Sequence, residues 1–160
     1  MALNDILPIA YYGRKAPPTR EYTVAATQTL ARGEPVLLNA NGQIEECADN
    51  PSAVIGIMAE SASSLAENSR VPVWLISNTE TLWLCATAAR NGAGTSVTPD
   101  VTDIGDQCGL ILLSGSWIAD TGAGNKIAEV VDVDDGLGRS ITDTRILLPG
   151  RNFIIQFFAR

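Results

Sequence analysis

Bond chemistry needs side chains that hold, give or take charge near neutrality, and this 160-residue sequence is short of them. It has no histidine. That removes the residue whose ordinary pKa lies nearest neutrality, the base of Ser and Cys triads and the commonest metal ligand. The three cysteines, Cys47, Cys85 and Cys108, make no CxxC pair and are odd in number, so they predict neither a disulfide framework nor a thiolate metal site. Cys85 falls inside an apolar run and Cys108 opens one; both are expected as small core side chains, because a nucleophilic thiol needs a base and an electropositive neighbour. Among the acids, Asp120 follows the apolar Trp117, Ile118 and Ala119 and leads into Thr121, Gly122 and Ala123. The expectation is a turn after a strand, with the carboxylate accepting backbone N–H groups and Gly supplying a positive φ. Asp132, Asp134 and Asp135 precede Gly136, but their order fails the Asp-x-Asp-x-Asp-Gly calcium loop and no Glu follows at the right distance, so a solvated turn is expected. Gly122, Gly124, Asn125 and Lys126 lack the spacing of a phosphate loop, and a strand pattern follows them instead of a helix. No catalytic residue, metal site or cofactor is expected.

Bulk properties narrow the class. A chain of this length buries roughly 70% of its extended surface, enough for one self-sufficient core. Apolar residues make up 46% and charged residues 18%, which excludes a disordered chain, and no apolar run approaches the ~18 residues of a membrane helix. Eleven Lys and Arg against eighteen Asp and Glu leave a net charge of −7. That balance repels a phosphate backbone, so neither nucleic acid nor membrane is an expected partner. The unpaired cysteines fit a reducing compartment, and Asn4, Asp5 and Pro8 interrupt any secretion-signal pattern at the start.

The elements that must position these residues read as short strands separated by turn chemistry. Strands are expected at residues 22–26, 35–38, 43–46, 53–59, 70–77, 81–87, 108–113, 116–119, 127–133, 145–148 and 153–158. Asn41-Gly42 signals a tight two-residue hairpin, and Ser114-Gly115 a second. Gly56 within an apolar run predicts a close backbone approach. In residues 70–77, Val71, Val73 and Leu75 oppose Pro72, Trp74 and Ile76; in 81–87, Leu82, Leu84 and Ala86 oppose Trp83 and Cys85, so both faces should be covered. The three Trp, at positions 74, 83 and 117, are expected as core or interface bulk. Residues 127–133 alternate with Val131 and Val133 on the face of Ile127. Residues 91–105 and 134–140 look like loops, and 62–68 is the best helical candidate, although no sustained helical stripe exists. The class is all-β, a small antiparallel β-barrel, β-tulip or sandwich.

The first twenty residues differ from the rest. They carry Arg14, Lys15 and Arg20 against Asp5 alone, contain Pro8, Pro17 and Pro18, and lack any periodic pattern to bury Ile6, Ile9, Tyr11 or Tyr12. A basic, Pro-stiffened, aromatic stretch on an acidic chain reads either as a disordered tail or as an extended N-terminal arm that packs on a neighbour; the arm, residues 1–21, is the expectation, because Tyr and Ile are unusual in disordered tails, with residues 22–160 as a single β-barrel-like domain.

Two resemblances bear on function. Asp120-Thr121-Gly122-Ala123, with Leu147-Leu148-Pro149-Gly150-Arg151-Asn152 further on, resembles the signature segments of retroviral-type aspartic proteases, whose paired carboxylates share one proton. The interval between the two segments is too short for that family's flap hairpin. The run from Thr29 to Leu38, containing Leu30, Gly33 and Val36, followed by Asn41-Gly42-Gln43-Ile44, Ala53-Val54-Ile55-Gly56-Ile57-Met58-Ala59-Glu60, and Val71-Pro72-Val73-Trp74, resembles tailed-bacteriophage capsid decoration, or cement, proteins. Asp134-Asp135-Gly136 and Asp143-Thr144-Arg145-Ile146-Leu147-Leu148 extend that similarity. It implies a non-enzymatic virion protein on the outer capsid surface, assembled in the host bacterial cytoplasm. Its partners would be the major capsid protein and copies of itself, a trimer before a dimer. Tyr11, Tyr12, Arg14, Lys15 and Arg20 are the expected contacts. A tail or fibre module, or a retropepsin-like protease through Asp120, is the alternative.

Overall fold

The computed structural model describes residues 6–9, 16–77, 81–85, 88–134 and 152–158. Its strands are β1 Leu7–Ile9, β2 Thr19–Thr23, β3 Gln28–Leu30, β4 Pro35–Leu38, β5 Ile44–Glu46, β6 Gly56–Met58 and β7 Ala62–Leu65. They continue as β8 Arg70–Leu75, β9 Leu82–Cys85, β10 Ala88–Ala89, β11 Gln107–Leu113, β12 Ser116–Asp120, β13 Ala128–Asp134 and β14 Asn152–Phe157. One 3-10 turn, Val101–Asp103, is the only helical element among the described residues. The protein is all-β, as expected. A seven-stranded sheet runs β1-β9-β14-β13-β11-β12-β10, a five-stranded sheet β2-β8-β6-β4-β5, and β3 pairs with β7 as a ribbon. Every named ladder is antiparallel except the short β10–β12 pair. Of the expected architectures the sandwich-like one fits; among the described residues no sheet closes into a barrel.

Alternation along the strands explains how the layers share their cores. In β8, Val71 and Val73 join Val24, Leu30, Val36, Ile44 and Met58 in one buried cluster, while Trp74 and Ile76 face a second, larger one. β6 divides in the same way, Met58 to the first cluster and Ile57 to the second. Both faces of the five-stranded sheet are therefore covered, which is what the two-faced apolar pattern of residues 70–77 requires. The β3–β7 ribbon closes the smaller cluster through Leu30, Ala62 and Leu65. The larger cluster lies on the seven-stranded sheet, where Trp83, Cys85, Cys108, Trp117, Phe153 and Phe157 are buried. Trp83 stands edge-on to Trp74 at 6.3 Å and to Phe157 at 5.8 Å, so an aromatic chain joins the two sheets. Such edge contacts add about 1 kcal/mol each beyond the area they bury.

Local chemistry sets the turns, and several differ from expectation. At Asn41-Gly42 the loop has three residues, not two. The Asn39 N–H donates to the Gln43 carbonyl at 2.9 Å and the Gly42 N–H to the Asn39 carbonyl at 3.0 Å, with Gly42 alone left-handed at φ 75°. The Asn39 carboxamide decides this, since its Oδ1 accepts the N–H groups of Asn41 and Gln43. Ser114-Gly115 is the expected two-residue turn, with φ of 52° and 79° and Leu113 opposite Ser116. The helical candidate at 62–68 is instead β7, held to β3, with the Ser64 N–H donating to Thr29 Oγ1 at 3.1 Å. Tertiary pairing overrides so short a propensity signal. A bulge at Val131 shifts the register of β13 on β14, so Val133 lands on the same core as Ala128 and Val130 rather than alternating away from them. β13 also runs to Asp134, one residue past the expected strand end and into the expected loop. The expected strand at 145–148 lies outside the described residues.

The N-terminal stretch is tied to the body at two places. β1 pairs with β9, and Ile6 is fully buried in the larger cluster. β2 begins at Thr19 and pairs along its whole length with β8. The expected arm is thus interrupted by two strands of the protein's own sheets. The apolar seat for Ile6 is non-local, which is why no local pattern announced it.

Candidate interaction surface

Asp120 ends β12 fully buried, yet its surroundings are backbone. Its Oδ1 accepts the Gly122 N–H at 2.7 Å and its Oδ2 the Gly94 N–H at 3.1 Å. The Thr121 N–H donates to the Ala89 carbonyl, so the carboxylate and its turn clip residues 89–94 against the end of β12. The turn expectation for Asp120 is met in its hydrogen bonding, but not in the role given to Gly122. That glycine does not have a positive φ. It is needed because a Cβ there would strike the Arg90 carbonyl and the Gly92 nitrogen. Lys126 donates to the Thr121 carbonyl, closing the same corner. Of the second protease-like segment, residues 147–151 lie outside the described residues.

The next loop is held by an ion pair. The Arg90 guanidinium meets Asp103 through Nε and Nη2, each at 2.6 Å, and Nη2 also reaches the Thr98 carbonyl. Asp103 in turn accepts the Asp100 N–H at 2.7 Å, while the Asp100 side chain accepts from Thr102, a reciprocal cap on the 3-10 turn. The Arg90 hydrogen bonds hold the Asp103 carboxyl below its usual range, and that same contact raises the Arg90 pKa. The three cysteines are buried and free. Burial pushes the thiols of Cys47 and Cys108 up to about 12 and that of Cys85 well above its ordinary value, consistent with inert core side chains. Asp132 accepts the N–H of its own neighbour, Val133, and no group of three metal-ligating side chains gathers among the described residues. Two apolar depressions of about 270 and 150 Å³ share Val54 and Ile55, and among the described residues no titratable side chain lines either.

What the fold does gather is arginine on aromatic rings. Arg20 projects from β2 with its guanidinium carbon 5.1 Å from the centre of the Tyr22 ring. The two are i, i+2 neighbours on one face of a strand at the margin of the five-stranded sheet. Arg32, on the turn before β4, lies 5.2 Å over Trp74, the register partner of Thr19. Arg70 stands opposite Thr23 and meets Glu21 at 3.7 Å in an exposed pair. Arg20 and Tyr22 lie on the face of their register partners Val73 and Val71, whereas Trp74 beneath Arg32, and Arg70, belong to the opposite face. Exposed arginines thus flank the β2–β8 margin on its two faces, two of them over rings, where an Arg keeps its donors free for a partner. Arg20 was expected as a contact; Arg32 and Arg70 were not, and they reach this margin through the contact of Arg32 with Trp74 and the pairing of Arg70 with Thr23. Tyr11, Tyr12, Arg14 and Lys15 lie outside the described residues, in the connection that leads from β1 into β2. No family model matches the chain, and no curated protein matches it either.

Proposed function

We propose that this chain is a capsid decoration protein, which binds the outside of a tailed-phage head and holds neighbouring major capsid subunits together. The observation that carries this reading is a basic, aromatic surface on an otherwise acidic all-β protein. Arg20 on Tyr22 and Arg32 on Trp74 stand on the two faces of the β2–β8 margin, and the connection entering β2 carries Tyr11, Tyr12, Arg14 and Lys15. Arg and Tyr are favoured anchors at protein interfaces, and a pre-stacked Arg loses less side-chain freedom on docking. The similarity of residues 29–60 and 71–74 to decoration proteins supports the same reading.

The mechanism is mass action. A protein that binds the assembled lattice and not its dispersed subunits stabilises that lattice by RT ln(1 + [L]/Kd) at every site, so modest contacts suffice when repeated over a shell. Calorimetry of undecorated shells titrated with the protein tests it. The expected result is a shell transition that moves up in temperature and stops moving at a fixed protein-to-capsid ratio. An unchanged transition at saturating protein overturns the reading, and binding to tail or fibre components instead would move the protein to that part of the virion.

A further inference from the structure

We propose that Asn41 is a site of spontaneous covalent modification, losing its side-chain amide to give aspartate and isoaspartate, while the other Asn-Gly pair, Asn91-Gly92, is held back by the fold. These are the two asparagines that precede a glycine. Glycine matters because, with no Cβ, it leaves its backbone nitrogen open to the preceding side chain. In the reaction the Gly42 nitrogen attacks Asn41 Cγ and gives up its proton. The Cγ–Nδ2 bond breaks, the amide leaves with that proton as ammonia, and a five-membered imide closes. Water then opens one of the two imide C–N bonds. Opening on one side gives aspartate, and on the other isoaspartate, whose main chain runs through the former side chain. Water is the co-reactant, and nothing is oxidised or reduced.

Geometry separates the two pairs. Asn41 and Gly42 are both exposed at the tip of the β4–β5 hairpin. The Asn41 backbone N–H is held by Asn39 Oδ1 at 2.9 Å, but among the described residues nothing holds its carboxamide. Gly42 has open space where a Cβ would stand, and its N–H is tied by one bond to the Asn39 carbonyl at 3.0 Å. Opening one bond at an exposed tip is a low-cost local fluctuation. At Asn91 the carboxamide is fastened at both ends. Its Oδ1 accepts the N–H groups of Ala93 at 3.0 Å and Thr95 at 3.3 Å, and its Nδ2 donates to Thr95 Oγ1 at 2.8 Å. The nitrogen that would attack is packed as well, since a Cβ on Gly122 would meet it at 2.5 Å. Asp120 fixes that corner through the Gly94 and Gly122 N–H groups. Attack at Asn91 therefore needs the corner to open, and attack at Asn41 does not. The product adds one negative charge to a chain of net charge −7, and isoaspartate adds a backbone carbon to the loop that the Asn39–Gln43 hydrogen bond closes. Ile44 follows directly in the smaller buried cluster, so the added length is passed to the β4–β5 ladder. This inference stands apart from any capsid partner.

The test holds the native protein in mildly alkaline buffer, beside the same chain in denaturant, and follows the peptides around both pairs by mass spectrometry. The folded protein is expected to convert Asn41 at least about tenfold faster than Asn91, with isoaspartate among the products, whereas the unfolded chain converts the two at similar rates. Asn41→Gln, whose longer side chain does not close the five-membered ring, should leave the folded peptide of residues 33–70 unchanged. Folded native protein whose Asn41 stays intact while the unfolded chain reacts, or whose Asn91 reacts as fast as Asn41, overturns the proposal. Conversion that persists in that peptide of Asn41→Gln overturns it too, because the change would then belong to Asn39, Asn50 or Asn68.

Discussion

At the scale of single residues, buried polar groups and missing side chains govern more than the charged surface does. Asp120 holds two backbone N–H groups with a fully buried carboxylate, so removing it leaves both donors unpaired. Asp120→Ala should destabilise the protein by roughly 3 kcal/mol, above the cost of an ordinary turn bond, because it leaves two backbone N–H donors without their acceptor. Asp120→Asn should cost about half as much, since a carboxamide keeps only one acceptor oxygen. Urea denaturation of the two variants, with the clip residues followed by amide exchange at Gly94, checks the order. Gly56 is the second case. It lies between Leu75 of β8 and Val36 of β4, and a Cβ there meets the Trp74 carbonyl and the Val73 side chain. Gly56→Val should cost at least ~3 kcal/mol or abolish folding; a melt like that of the native protein would contradict the packing described for β6. Both residues stood out in the sequence. The close approach at Gly56 followed from a lone Gly in an apolar run. The Gly94 bond to Asp120 spans 26 residues and could not be read locally.

At the scale of elements, a strand's alternation was legible wherever both its faces are covered, as in β8 and β9, and misleading where a bulge intervenes, as at Val131. β3, β7 and β10 went unrecognised because two to four residues hold too little pattern, and their pairing partners are distant in sequence. The helical candidate at 62–68 failed for the same reason. The Asp103 pair belongs to this scale, since it fixes the segment between β10 and β11. Its folded-state pKa is depressed, so its contribution is fully present above the ordinary carboxylate pKa, 3.8, and is lost as pH falls through the lower folded value. Asp103→Asn should therefore be destabilised by roughly 2 kcal/mol at pH 7, a figure kept modest because Arg90 is partly open to solvent. The gap from the native protein should narrow steadily below about pH 4. Denaturation at pH 7, 5 and 3 measures it, and a gap independent of pH would assign the loss to something other than the ion pair.

At the scale of the whole molecule, the all-β class and the sandwich-like layering followed from strand and turn patterns, while the interaction surface was legible only in part. Arg20 and its basic, aromatic surroundings stood out by composition. Arg70 reaches the same margin through sheet register and Arg32 through its contact with Trp74, neither of which a linear pattern carries. The tie of β1 to the body also changes how function must be tested. Deleting the first twenty residues would remove Ile6 from the core and strip β1 from the sheet, confusing lost folding with lost binding. Charge reversal avoids this. Arg14→Glu, Lys15→Glu and Arg20→Glu together replace no residue of the two described clusters, and a thermal melt within about 1 kcal/mol of native is the expected check that the variant folds. The most direct measurement is co-sedimentation of the native protein and this triple variant with undecorated tailed-phage heads. The account predicts saturable binding by the native protein and a loss of at least about tenfold in affinity for the variant, one anchor's worth of contact energy. A folded native protein that leaves the shells in the supernatant, or a variant that binds as tightly as the native one, would contradict it.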